Sequence, residues 1–188
     1  MQIRKSTKEL IADSFMELSA VKNIDKIKIK EITNNCGLTP TTFYNHFKDK
    51  YDLIVWIYST MVEKTMNRIN NDDYEWKDAL NDALKYSVEN RNFLINAIMH
   101  TSGQNSFINN VSKIDIKALS DYIKKQHNLK QLPEDLEVWV KLYCFGIVQL
   151  SCEWLINKMP IQMNQFVKLL EDGLPAPLKK YLYKIDEM

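Results

Sequence analysis

Within four residues, Gly37-Leu38-Thr39-Pro40, the chain carries both a helix stop and a helix start. Upstream, Ile29, Ile32 and Cys36 fall on one face of a short helical pattern, and glycine is the residue best able to adopt the left-handed conformation that closes a helix. Downstream, Thr39 suits the N-cap and Pro40 the first helical position, where a missing N–H costs nothing. Phe43 and Phe47 follow at i, i+4, so the second helix buries one side and leaves the other free. Two short helices must therefore meet at a tight turn, with Ile32, Cys36, Leu38 and Phe43 as the small core between them.

The rest of the chain offers no competing architecture. Four glycines and five prolines in 188 residues are too few for the turns of a strand-rich fold. Ser6-Thr7-Lys8-Glu9 has capping-box spacing, and Ile11, Phe15 and Leu18 behind it form one apolar stripe. Ile27-Lys28-Ile29 alternates like a strand, but three residues without a partner make no sheet, so the segment is expected to enter the helix of Ile29, Ile32 and Cys36. A linking helix is expected from about Lys50 to Asn70, followed by a polar break and helix start at Asn70-Asn71-Asp72-Asp73. Further helices are expected over Glu75–Glu89, Arg91–His100 and Ser106–Gln126, with Gly103–Asn105 as a loop. Another starts at Pro133-Glu134-Asp135, where acids complement the helix dipole, and runs to Lys158 before Pro160. The last spans Asn164–Asp172, and Gly173, Pro175 and Pro177 are read as breaking it before a short tail.

The free side of the helix after Thr39 is chemically suited to nucleic acid. It offers Thr41, Thr42, Tyr44, Asn45 and His46 and no carboxylate, the first acid being Asp49. Hydroxyls and N-terminal backbone amides hold phosphate oxygens, threonine methyls touch thymine, and asparagine pairs with an adenine edge. Through Lys50 there are nine Lys/Arg against six Asp/Glu, leaving 16 against 18 in the remainder and a net charge of +1 overall. A basic front on a mildly acidic body suits approach to phosphates, although ordinary surface scatter gives so small an asymmetry too.

Residues 6–60 resemble the TetR family of transcription regulators. The resemblance rests on the turn Gly37-Leu38-Thr39, on Thr42-Phe43-Tyr44, and on His46-Phe47-Lys48-Asp49-Lys50 followed by Leu53. It departs at Thr33, where alanine is common, and at Thr41, where glycine is common. It implies that Thr39, Thr42, Tyr44, His46 and Lys50 contact operator DNA, mostly at phosphates, with Thr41 and Asn45 as the more sequence-discriminating positions. Gly103–Phe107, Tyr143–Leu155, Tyr51-Asp52-Leu53 and Trp56-Ile57-Tyr58 resemble the branch that regulates dihydroxyacetone kinase operons. That branch is associated with activation as well as repression, and with sensing through a partner protein. The implied architecture is all-α: an N-terminal three-helix helix-turn-helix domain (residues 1–50, the motif about 28–47), then a larger helical ligand-binding and dimerisation domain (51–188).

Other features carry two readings each. Cys144 and Cys152, eight apart on one helix face, are a thiol sensor or small buried hydrophobes. The helix around Leu136, Trp139, Val140, Tyr143, Ile147 and Val148 is apolar on several sides. It is the centre of a monomer core, or it is shared with a dimer interface that also draws on Phe166, Val167, Leu169 and Leu170. Helix-turn-helix dimers bind half-sites about 34–36 Å apart, which favours the second reading. Trp56, Tyr58, Tyr86, Phe93 and Tyr143 line an effector pocket or fill the core.

His46 has no Cys, Asp or second His at ligand spacing, and His100 and His127 are isolated, so no metal or other cofactor is expected. With no nucleophile–base set and no phosphate-binding glycine loop, neither is an enzyme. The start MQIRKSTKEL lacks a signal-peptide stretch, the longest apolar run (Leu53–Tyr58) is too short to span a membrane, and three cysteines form no CxxC pair. A cytoplasmic protein is expected. The functional expectation is a homodimer that binds a pseudo-palindromic double-stranded operator and responds to a small-molecule effector or partner protein. The rival is a helical interaction adaptor that does not bind DNA by itself.

Overall fold

In the computed structural model, residues 5–69 and 73–183 are described, and every regular element among them is helical. The first group comprises α1 (Thr7–Ser19), a 3-10 turn (Ile24–Lys26), α2 (Ile29–Asn35) and α3 (Pro40–Tyr44). The linking helix α4 (Lys50–Met66) leads to α5 (Trp76–Glu89) and α6 (Arg91–Met99), a second 3-10 turn (Gly103–Asn105), and α7 (Phe107–Gln126). The chain closes with α8 (Glu134–Ile156), α9 (Met163–Asp172) and α10 (Ala176–Leu182). The expected helix start at 70–72 lies outside the described residues. After it, Asp73 takes φ +61°, and the Glu75 N–H donates to Asp78 Oδ2 at 2.9 Å to open α5.

Local chemistry sets the boundaries. The Ser6 N–H donates to Glu9 Oε2 (2.8 Å) and the Glu9 N–H to Ser6 Oγ (3.3 Å), a reciprocal capping box on α1. Asp49 caps α4, accepting from the N–H groups of Tyr51 (2.8 Å) and Asp52 (2.9 Å). The expected run of α8 to Lys158 is two residues too long. Lys158 (φ +59°) and Met159 (φ +57°) turn left-handed, and the Met159 N–H donates back to Trp154 O at 2.9 Å, closing the helix before Pro160 is reached.

One hydrophobic cluster runs from Ile11 and Phe15 in α1 to Leu178 and Leu182 in α10. Within it α7 packs between α4 and α8, α5 packs on α9, and α1 touches α6. The existence of α10 corrects the expectation of a tail after Asp172. Proline is tolerated in a first helical turn, so Pro175 and Pro177 start this helix, and Leu178 and Leu182 at i, i+4 are buried. The position of α9 corrects a second expectation. Phe166, Val167 and Leu170 are buried within the chain's own core, Phe166 stacking on Trp154 at 5.0 Å, and only Leu169 of the four faces outward.

Candidate nucleic-acid interface

The turn between α2 and α3 is built from backbone bonds and one glycine. Gly37 sits at φ +69°, its N–H donates to Asn34 O (3.3 Å), and the Leu38 N–H reaches Thr33 O (2.8 Å). Thr39 then caps α3: its Oγ1 accepts from the Thr42 N–H at 3.1 Å and lies 2.9 Å from Thr42 Oγ1. Beneath the turn Ile32, Thr33 and Phe43 are fully buried. Thr33 fits where a smaller residue would do because its hydroxyl donates to Lys30 O (3.2 Å). Ser14 and Asn35 bind α1 to α2, the Ser14 hydroxyl donating to Ile32 O (2.7 Å) and the Asn35 amide to Ser14 Oγ (3.1 Å) and Glu17 Oε2 (2.9 Å).

This scaffold gathers most of the expected contact residues on one surface. Thr41, Tyr44, Asn45 and His46 are exposed, Tyr44 by 59%, along α3 and the turn that follows it, and Thr39 and Thr42 flank them as a hydroxyl pair. The opposite side is locked. Phe43 meets Phe47 at 5.7 Å, Phe47 meets Trp56 of α4 edge-on at 5.6 Å, and the Lys8 ammonium lies over both of the latter rings. Lys50 stands apart from the group. Its ammonium donates to Asp25 O (2.7 Å) and Ile27 O (3.0 Å), and burial holds its pKa below the usual lysine value. It therefore fastens the start of α4 to the connection between α1 and α2.

Sequence reasoning missed two polar groups. Asn96 of α6 grips the loop after α1: its Nδ2 donates to Ser19 O (2.7 Å) and Lys22 O (2.8 Å), while its Oδ1 accepts from the Ile24 N–H (2.9 Å). No local pattern marks it, since its partners lie more than seventy residues away. Asp115 of α7 faces a cavity of about 130 Å³ walled chiefly by α4, α5, α7 and α8, with Leu94 and Ile98 of α6 at its side, together with Tyr58, Leu80, Leu84, Val111 and Val148. A signal did exist for it: an acid in the apolar stripe of Val111, Leu119 and Tyr122. Tyr58 Oη donates between the two carboxylate oxygens, 3.1 Å from each. Burial pushes the Asp115 carboxyl up to about 7 and raises the Tyr58 phenol well above its usual value.

The remaining open readings resolve at the same site. Cys144 and Cys152 are both buried and pack as small hydrophobes in the cavity wall, burial pushing the Cys152 thiol up to about 12 and that of Cys144 higher still. Of the five candidate pocket aromatics, Tyr58 lines the cavity, and Tyr86 is half-buried on α5 outside the lining, its phenol raised by burial. Trp56 packs on Phe47, Phe93 on Phe15 at 6.0 Å, and Tyr143 accepts from Trp76 Nε1 (3.0 Å) and donates to Leu170 O (3.0 Å). His100 lies 3.8 Å from Asp25, and His127 meets the Tyr181 ring edge-on at 4.8 Å. No helix among the described residues is long and apolar enough to cross a membrane.

Comparison with known proteins adds family and fold. A TetR-type family model described as the transcriptional regulator C-terminal region matches residues 74–174. The HTH-type dhaKLM operon transcriptional activator DhaS of Lactococcus lactis is 30% identical over 95 residues, 50% of this chain and 50% of that protein. An HTH-type transcriptional regulator of Haemophilus influenzae is 34% identical over 53 residues, 28% of this chain and 26% of that one. The matches thus span half or less of the curated relatives' lengths. The solved dihydroxyacetone kinase operon activator DhaS superposes with a TM-score of 0.67 at 20% identity, covering 94% of this chain and 98% of that one. FadR from Bacillus subtilis in complex with stearoyl-CoA gives 0.58 at 16% identity, covering 89% and 97%. At these identities the structural likeness speaks for the fold alone.

Proposed function

Because the chain belongs to the TetR family of transcriptional regulators, we propose that it works as a homodimer whose two α3 helices enter successive major grooves of a pseudo-palindromic operator. The observation that carries this reading is the exposed surface of Thr41, Tyr44, Asn45 and His46 over a fully buried Phe43. Thr39, Thr42, Tyr44 and His46 meet phosphates, and Thr41 and Asn45 meet base edges. Lys50 contributes its remaining ammonium proton and holds α4 in place while doing so.

Dimerisation is supported by α8. Val138, Leu142 and Phe145 are 60%, 58% and 52% exposed on one side of a helix whose other side is core, and Leu150 and, on α9, Leu169 are exposed as well. Apolar side chains in that arrangement suit a second copy of the same surface across a two-fold axis. A small-molecule effector or a partner protein at the α5–α10 region then alters the spacing of the two α3 helices and with it operator affinity.

The test is to select bound fragments from genomic DNA with the purified protein and titrate them in a mobility-shift assay. Tyr44→Ala is expected to lower operator affinity at least tenfold. Unchanged binding would remove α3 from the site. Affinity should fall steeply with salt, as phosphate contacts require; a flat, salt-insensitive response would favour the adaptor reading instead.

A further inference from the structure

We propose that the cavity walled by α4, α5, α7 and α8 takes a compact organic monocation, an amine with a single-ring or branched apolar body, whose ammonium pairs with Asp115. This deepens, and rests on, the reading of an effector-responsive regulator, by naming the chemical class of the effector.

Size comes first. A cavity of about 130 Å³ holds one ring and a short arm; an apolar engineered cavity of about 150 Å³ binds benzene. The wall comes second. Leu80, Leu84, Val111 and Val148 offer the body of a ligand only dispersion contacts. The Thr65 and Ser87 hydroxyls donate to Met61 O and Ala83 O of their own helices, Ser151 adds one further neutral hydroxyl, and Tyr58 and Asp115 place the ionisable function on the α4–α7 side. Such a wall orients a ligand with one polar end.

Charge decides the class. Among the described residues that line the cavity there is no Lys, Arg or His. The carboxylate receives a single proton donor among the described residues, Tyr58 Oη, although its two oxygens together can accept about four hydrogen bonds. An ionised carboxylate in apolar surroundings without a counter-charge is costly, and an ammonium supplies both the charge and the missing donors. An anionic ligand would meet repulsion there.

Among the described residues the titratable groups facing Asp115 are Tyr58 from α4 and Cys144 and Cys152 from α8, and α5, α6 and α9 bring none to the wall. All three are raised and stay neutral near pH 7, so Asp115 alone sets the charge of the site. Amine binding should therefore follow ionisation of this one carboxyl.

The test uses the full chain and calorimetric titration with three ligands of similar size: benzylamine, benzyl alcohol and benzoate. Benzylamine is expected to bind at least tenfold more tightly than benzyl alcohol, and benzoate not to bind. Between pH 8 and pH 6 benzylamine affinity should drop roughly tenfold while that of the alcohol stays level. Asp115→Asn should erase the preference for the amine. If Asp115→Asn does not fold, the pH dependence of the unaltered protein decides. Equal binding of amine and alcohol, amine affinity independent of pH, or no binding of any of the three overturns the proposal. The same preparation is titrated with operator without ligand. Operator binding without amine binding sinks this proposal and leaves the regulator standing; amine binding with a flat operator titration does the reverse.

Discussion

The group α1–α3 and the group α5–α10 arrange their polar side chains in opposite ways. In the first, the interior is filled by Ile11, Phe15, Ile32 and Phe43, and the hydroxyl, amide and imidazole groups of α3 and its turn face solvent. In the second, the Asp115 carboxyl turns inward to an unfilled space, where the Tyr58 phenol of α4 meets it, and exposed apolar residues collect on the outside of α8. A surface that must read another molecule by shape needs a rigid backing. A region that must respond to one needs room and an unmet polar demand. The same all-helical chain supplies both because the first group is fixed by short-range caps and the second by long-range packing.

Four substitutions test that contrast. Phe43→Ala should cost the most, about 3–5 kcal/mol, because it opens a hole in the fully buried layer on which α3 rests. Chemical denaturation should show the loss, and a cost below about 1 kcal/mol would mean that the first group is not rigidly filled.

Asp115→Asn comes next, and its effect depends on pH. The Asp115 carboxyl titrates at about 7 in the folded chain and at about 3.9 when unfolded, so between these values the native state holds the extra proton. The contribution of this group to stability is therefore fully present below about pH 4 and falls by about 1.4 kcal/mol per unit as pH rises to about 7. Thermal melts of the unaltered protein should decline from pH 5 to pH 8, and those of Asp115→Asn should lose most of that slope. Equal slopes would show that the carboxyl is not held in a strained site.

Asn96→Ala removes three bonds of 2.7, 2.8 and 2.9 Å between the two groups and should cost about 2–3 kcal/mol. Amide exchange at Ile24 should accelerate with it; unchanged protection there would mean that the loop is held by other means. Tyr44→Ala should be the mildest, within about 0.5 kcal/mol of the parent by thermal melt, because its ring is exposed and meets only the edge of Phe43. A larger loss would show that the reading surface also supports the fold.

What the sequence revealed follows the same divide. Caps act over three or four residues, so Ser6/Glu9, Gly37 and Thr39-Pro40 were readable as helix boundaries and proved to be so. The segment after Gly173 misled because proline both breaks a helix interior and favours a helix start, and only burial of Leu178 and Leu182 decides which. Phe166, Val167 and Leu170 misled for another reason: an apolar stripe looks the same whether its own chain or a second copy covers it. Asn96 left no trace, since its role depends on a chain segment far away in sequence. The role of Lys50 in holding the α1–α2 connection was equally hidden, because one ammonium serves a carbonyl or a phosphate alike.

Asn96 and Lys50 take hold of adjoining parts of one loop. Asn96 binds Ser19, Lys22 and Ile24 from α6, and Lys50 binds Asp25 and Ile27 from the first residue of α4. The loop is thus clamped at both ends like a crank between two shafts. Any rotation of α6 must either drag the first turn of α4 along or snap hydrogen bonds one at a time, so the chain has gearing here where a tether would have left play.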